Sequence, residues 1–436
     1  MNSVWADTSK PPVFPALAGN LTTDVLIIGG GMAGILCAYM LSQAGIDYVL
    51  VEADQICRGV SRNTTAKITS QHGLVYHKLL RRFGPEKARM YWEANQDALD
   101  RYRHLCSGID CYFEEKDNFV YSLDRPDKID KELAALDQLG FPGEYAGKLP
   151  LPFSVAGAVK FPKQAQFHPL KFIGAVAQGL NIRENMRVLA YDGRAVITDH
   201  GTVTADKIIV ATHFPMFNKH GAYFLKLYQH RSYVLAVDGA PDIDGMYVDE
   251  ADDGFSFRNY GSLLLLGGGG HRTGKPSAGW AELSALSNLH YPGSKEVCRW
   301  ATQDCMSLDG VPYIGQYAKG TPNLYVATGF NKWGMTSSMA AAQILCDMVQ
   351  GKDSPYASVF SPSRTTLRPQ LALNGLEAAA NLLTLSRPRC PHMGCALKWN
   401  GQERSWDCPC HGSRFAEGGT LLDNPATGDL PHPKAK

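Results

Sequence analysis

The sequence has almost no net charge: 43 Lys and Arg stand against 42 Asp and Glu. That balance excludes a globally basic nucleic-acid binder and an acidic disordered chain. A long uninterrupted apolar run is also missing. The most apolar stretch, residues 25–41, is broken by Gly29, Gly30, Gly31 and Gly34, so it reads as strand, turn and helix, and no transmembrane segment is expected. No cationic stretch followed by an apolar one opens the chain, so no signal peptide is expected and the compartment is read as cytoplasmic. There is no internal repeat, and no Ser-His-Asp or paired-carboxylate arrangement stands out. Nor is there a paired-cysteine scaffold: the eleven cysteines are odd in number, and 436 residues are too many to need one. At roughly 100–200 residues per domain, that length allows two to four domains. What is present is glycine, 43 residues of it, and a cysteine cluster, with four of the eleven between Cys390 and Cys410. In a reducing compartment such a cluster holds metal or does redox work more often than it cross-links.

Asp24–Ile28 is a short continuous apolar run of the kind found in buried parallel strands. Gly29-x-Gly31-x-x-Gly34 follows and opens a helical stretch, and a second apolar strand, Tyr48–Val51, closes with Glu52, 18 residues after Gly34. In that context Gly29 makes the tight turn, Gly31 lets the backbone approach a pyrophosphate, and Gly34 lets helix pack on strand. The helix N-terminus favours phosphate charge, and Glu52 accepts from ribose hydroxyls while repelling a 2′-phosphate, which disfavours NADP. The fingerprint does not separate NAD from FAD, and a glycine-rich turn in an ordinary α/β protein is the bland alternative. A second run, Gly267–Gly270 with Gly274, fails the template and reads as a turn in a substrate domain, which weighs against a two-nucleotide reductase. Near residue 324 another buried strand leads through Gly329 and Gly334 into a helix over 335–348. A polar linker (351–364) and a helical stretch (367–385) precede the tail.

In the tail, Cys390-Pro-His392 and Cys408-Pro-Cys-His411 are separated by 15 residues, giving C-x-H-x15-C-x2-H. Two thiolates and two imidazoles on two Pro/Gly-shaped loops suit an iron–sulfur centre; a structural Cys2His2 zinc site is the alternative, although zinc sites more often present C-x2–4-C.

Several segments, in order along about residues 20–360, resemble the D-amino-acid oxidase/glycine oxidase superfamily of FAD enzymes. They are Arg58-Gly-Val-Ser-Arg-Asn-Thr-Thr-Ala66, Glu184–Val188, Ile209-Val-Ala-Thr-His213, Trp300–Asp304, Pro312-Tyr-Ile-Gly315 and Val326–Thr336. The resemblance implies FAD, with contacts from Gly29, Gly31, Met32, Ala33, Gly34, Glu52, Ala53, Asn63, Thr64, Thr65, Ala66, Val188, Thr212, Gly329, Gly334, Met335 and Thr336. Val188 would meet the adenine, and the helix from Gly334 would aim its positive end at the flavin. The tail is similar to Rieske 2Fe–2S modules. That likeness implies Cys390 and Cys408 on one iron, His392 and His411 on the other, and a disulfide between Cys395 and Cys410. The module is trimmed: a helical stretch stands where the family carries strands before its first ligand loop. The two halves together resemble bacterial FAD-oxidoreductase/Rieske fusion proteins.

The expected fold is α/β (α+β overall). A Rossmann-like FAD-binding domain (20–80, 155–215, 305–355) would carry an inserted mixed-sheet substrate domain (81–154, 216–304). A linker and helix (356–388) and a small truncated β-rich Rieske-type module (389–436) would follow. The expected activity is that of a dehydrogenase: hydride leaves a small amine or amino acid for flavin, and electrons leave singly through the cluster to an external protein or quinone. An electron-transfer protein with no amine substrate is the alternative, and an assembly role with vestigial cofactors a third. Catalytic residues are not legible; the candidates are His72, Tyr228, Arg231, Tyr233, Arg258 and Lys332, with Gln71, His230 and Trp333 beside them.

Overall fold

The computed structural model describes every residue except 1, 18, 218–219, 365–368, 385–387 and 432–436. The chain begins its core with β1 (Leu21–Ile28), α1 (Met32–Gln43) and β2 (Tyr48–Val51). β1 and β2 pair in parallel, from Val25↔Tyr48 to Ile28↔Val51. Their continuous apolar runs suit burial on both faces, and α1 buries residues around most of its circumference. A long helix, α2 (Tyr76–Cys106), breaks at Gly84, where φ is +80° and Pro85 follows. Two strands, β3 (Glu114–Ser122) and β4 (Gly157–Gln166), then leave the first sheet, and β5 (Gly201–Val210) returns to lie parallel beside β1.

Five strands follow: β6 (Leu227–Asp238), β7 (Met246–Asp249), β8 (Ser256–Tyr260), β9 (Leu263–Arg272) and β10 (Lys295–Ser307). The chain then crosses back through β11 (Tyr313–Gln316), β12 (Leu324–Thr328) and α3 (Gly334–Val349). The first sheet has eight strands, with the order β11-β12-β5-β1-β2 at its centre. β12, β5, β1 and β2 run parallel, so their carboxyl ends open on one crevice. The second sheet has nine strands in the order β10-β6-β9-β8-β7-β3-β4 and is mixed, because β7 is parallel to β3. α3 packs on α1, and its Ala340, Ala341 and Ala342 are all buried.

A further helix, α4 (Pro369–Leu383), lies within the helical stretch expected from the sequence. The tail ends in a four-stranded antiparallel meander: β13 (Lys398–Asn400), β14 (Ser405–Asp407), β15 (Arg414–Ala416) and β16 (Leu421–Asp423). Strands this short bury little, and a network of charges holds them to the body. Glu403 pairs with Arg231 of β6 and with Arg414, which also reaches Asp407 and Asp423 at 3.0 Å each. Burial would raise the Glu403 carboxyl, but the Arg231 and Arg414 charges override it and hold it at about 2.

Candidate functional site

The turn between β1 and α1 needs its glycines for different reasons. Gly29 has φ +109°, and a Cβ there would lie 2.7 Å from the Ala211 carbonyl oxygen. A Cβ on Gly34 would fall 1.9 Å from the Gly29 carbonyl oxygen, so helix and strand could not approach. Glu52 ends β2 and accepts from the Gly30 and Asp54 amides, at 2.7 and 2.9 Å. Each carboxylate oxygen keeps a lone pair for a ribose hydroxyl. Ser61 was not singled out in the sequence; its Oγ accepts from the Met32 amide at 3.0 Å, at the very start of α1.

This turn borders a cavity of about 1080 Å³ that continues under the second sheet. The expected cofactor contacts line it, except Gly34, Ala66 and Thr336. Ala66 and Thr336 are buried behind the wall. A backbone turn with no room for side chains, opening into a long cavity, fits a dinucleotide. At its far end Asn331 and Lys332 are both in the left-handed region, φ +51° and +72°, just before α3. Asn331 Oδ1 holds this turn by accepting from the Ser307 amide at 2.8 Å.

The candidate substrate residues separate into two groups. Tyr228, Tyr233, His72, Lys332 and Trp333 line the cavity. His72 has both ring nitrogens engaged, with Tyr91 Oη at 2.6 Å, the Thr69 carbonyl at 2.8 Å and Thr336 Oγ1 at 2.9 Å. Burial lowers its pKa to about 3, so it is a neutral brace for the first turn of α3. Arg231 is committed to Glu403. Arg258 is fully buried, stacks over Trp5 and donates to the Ala66 carbonyl at 2.8 Å, holding the loop whose Ala66 has φ +55°. Gln71 lies in a loop with its side chain bonded to the second sheet, donating to the Val159 carbonyl and accepting from Asn118. The Cys57 thiol is buried, and burial pushes its pKa well up, so it stays protonated. Lys67 went unread in the sequence although it adjoins the flavin loop; burial, with Arg258 nearby, lowers its pKa to about 7.

The tail loops are built alike. In one, the Cys390 amide donates to the Cys395 carbonyl and the Gly394 amide to the Cys390 carbonyl; in the other, Cys408 donates to Ser413 and Gly412 to Cys408. All four bonds are 2.8–2.9 Å, and Gly394 and Gly412 take φ of +77° and +85°. The loops bring the His392 and His411 rings to 5.0 Å between centroids, and the Cys408 thiol donates to Cys390, bringing Cys390 down to about 7. Cys395 and Cys410 are disulfide-bonded across the loops. The sulfurs of Cys395, Cys408 and Cys410 lie within 4.8 Å of one another, but the disulfide withdraws two of them, leaving Cys408 to act with Cys390.

Both ring nitrogens of His392 and Nδ1 of His411 are buried without a hydrogen-bond partner. Burial lowers these two imidazoles to about 4 and 3, so they are neutral, as ligands must be. Such orphaned donors beside two paired thiols fit an iron–sulfur group. His411 Nε2 donates to the Phe224 carbonyl at 3.1 Å, which fixes the orientation of the ring and leaves Nδ1 free.

Two tail–body contacts were not legible in the sequence. Phe214, two residues past the cavity-lining Thr212, puts its ring 6.3 and 6.1 Å from those of His392 and His411. Gln303 Nε2 donates to the Gly412 carbonyl at 2.9 Å. The missing strands of the trimmed module are replaced by α4 and the body: Ala378 packs on the cysteine core, and Cys390 and Cys408 are each 1% exposed.

Fold and sites together define a flavin-dependent oxidoreductase with an iron–sulfur tail. The profile for FAD dependent oxidoreductases matches residues 24–348, and that for the Rieske 2Fe–2S domain matches 379–434. The chain belongs to the FAD dependent oxidoreductase family and carries a C-terminal Rieske domain; its cofactors are FAD and a Rieske 2Fe–2S cluster. It is 34% identical to the Bacillus subtilis (strain 168) protein YhfW, named for a Rieske 2Fe–2S centre, over 97% of this chain and 95% of that one. It is 23% identical to the gamma-glutamylputrescine oxidoreductase of Escherichia coli (strain K12), over 79% and 88%. Among solved structures it is similar to glycine oxidase from Geobacillus kaustophilus, with TM-score 0.66 and 18% identity over 79% of this chain and 99% of that one. Among the described residues, no helix is long and apolar enough to cross a membrane.

Proposed function

We propose that this chain is a dehydrogenase of small amines or amino acids whose electrons leave one at a time through the Rieske tail to an external protein or quinone. The observation that carries this reading is the seating of the tail loops on the cavity's own wall, with Thr212 on the cavity and Phe214 against both His392 and His411. FAD, when bound, accepts two electrons with a hydride, and a Rieske cluster passes single electrons. In this reading residues 20–80, 155–215 and 305–355 hold FAD, 81–154 and 216–304 shape the substrate side, and 389–436 hold the cluster. Cys390 and Cys408 would ligate one iron and His392 and His411 the other, each held by the loop bonds described above. The chain's own work is to position and to exclude water. Arg258 fixes the Ala66 loop, His72 braces α3, and the Asn331–Lys332 turn sets the helix's positive end at the cavity.

The alternative, an electron carrier with no small substrate, would need no polar pocket under the second sheet. The polar groups there favour the dehydrogenase. An anaerobic screen of N-methylated, D- and imino acids and simple amines, followed by visible absorption, tests this reading. It expects flavin bleaching, then cluster reduction. Bleaching by a reduced carrier protein and by no amine would overturn it.

A further inference from the structure

We infer that Asp304, with Ser232 and Thr302, forms a subsite for a second, cationic nitrogen on the substrate. This rests on the amine-oxidation reading above. It concerns one patch of the second sheet, where β6 and β10 pair antiparallel with His230 opposite Asp304 and Ser232 opposite Thr302. Three of these four polar neighbours are short of partners. Ser232 Oγ, Thr302 Oγ1 and His230 Nδ1 are buried with no hydrogen bond, and Thr302 and His230 are only 9% and 8% exposed. Ser232, Thr302 and Asp304 line the cavity, while His230 lies beside them, against Gly270. The Asp304 carboxylate lies within the electrostatic reach of Lys332 and Arg231, each of which is bonded elsewhere, to the Asp252 carbonyl and to Glu403.

Buried polar groups left unpaired are costly unless a ligand completes them. Two hydroxyl oxygens and a carboxylate together offer acceptors and one negative charge, the complement of an alkylammonium head. Burial raises the Asp304 carboxyl to about 6, against the pull of Lys332 and Arg231, so near neutrality it is ionised and poorly solvated. A carboxylate-bearing substrate is served less well. Arg231 is taken by Glu403 and Arg258 by the Ala66 carbonyl, and Lys332 Nζ donates to the Asp252 carbonyl at 3.1 Å. The substrate class this fits is a diamine or N-alkylated diamine, with one nitrogen at the flavin and the other, protonated, on Asp304.

The test uses the holoenzyme under anaerobic conditions with 1,4-diaminobutane, butylamine and N-methylglycine. Affinity is read from the perturbation of the flavin spectrum and, separately, reduction from its bleaching. The diamine should bind at least about tenfold more tightly than butylamine, equivalent to about 1.4 kcal/mol. Asp304→Asn should erase that advantage and leave butylamine within about twofold, a ratio that general loss of structure would not produce. Thr302→Val should weaken the diamine alone, by a smaller factor. Equal binding of diamine and butylamine by the unaltered protein, or tighter binding of N-methylglycine, overturns the subsite even if Asp304→Asn does not fold. Bleaching by monoamines without a diamine preference sinks this inference and keeps the oxidation reading; Asp304-dependent diamine binding with no bleaching by any amine does the reverse.

Discussion

The FAD cavity and the cluster loops are two ways of building a cofactor site, and they are opposite in kind. The cavity is lined by residues from Ile28 to Thr427, tail residues included, and its defining feature is space that side chains leave empty. The proposed cluster ligands are confined to Cys390–His411, and that site's defining feature is the side chains brought together there. The first is broken by adding atoms and the second by removing them.

The largest effect expected follows from removal. Cys408→Ser should bring iron and acid-labile sulfide to background while FAD content is unchanged, as measured by metal analysis and flavin absorbance. Addition comes next. Gly34→Ala places a methyl 1.9 Å from the Gly29 carbonyl oxygen, and should cost about 5 kcal/mol and release FAD from whatever protein folds, with the cluster retained in the soluble fraction. If Gly34→Ala holds FAD normally, the contrast between the two sites fails.

The joint between the regions can be loosened separately. Arg231→Met leaves Glu403 buried without its bidentate partner and should cost about 4 kcal/mol. Limited proteolysis should then release a C-terminal fragment, and cluster reduction after flavin bleaching should slow.

The smallest effects are in acid and base, and they run in opposite directions. Glu403 is held at about 2 against an ordinary 4.5, so its support is complete above pH 4.5 and is lost as pH falls towards 2. Glu132, 1% exposed and capping the Tyr76 and His77 amides, is raised by burial to about 7. Its protonated form is favoured by folding, so stability declines as pH rises from 4.5 to 7, by about 2–3 kcal/mol. Thermal unfolding across pH should show Glu132→Gln gaining on the unaltered protein over that range, and Glu403→Gln losing its deficit only in acid. Parallel pH curves for the two variants would contradict these assignments.

What could be read from the chain was local. The glycine fingerprint and Glu52 depend on a single strand-turn-helix unit, where each residue's role follows from its offset to the next. The C-x-H and C-x-x-H pairs are equally local, since each pair sits on one loop. The arginines were not local in this sense. Arg231 and Arg258 sit where a mixed-sheet substrate domain was expected, and both stood among the catalytic candidates. Their partners, Glu403 and the Ala66 carbonyl, lie 172 and 192 residues away, and proximity alone gave them other tasks. Asp304 was quoted only as part of a family-like segment; nothing in its neighbours along the chain says that it faces the cavity beside Ser232 and Thr302.

The sequence by itself determined the two cofactors and the parallel sheet that opens the chain, and it held the Cys-His pairs of the tail, because each rests on backbone geometry or side-chain chemistry within a few residues. The tertiary structure decided how the trimmed tail is shielded, through α4, Phe214 and Phe224, and which polar groups face the cavity unpaired. Burial and charge pairing are set by what folding brings together from distant parts of the chain, and no local pattern records them.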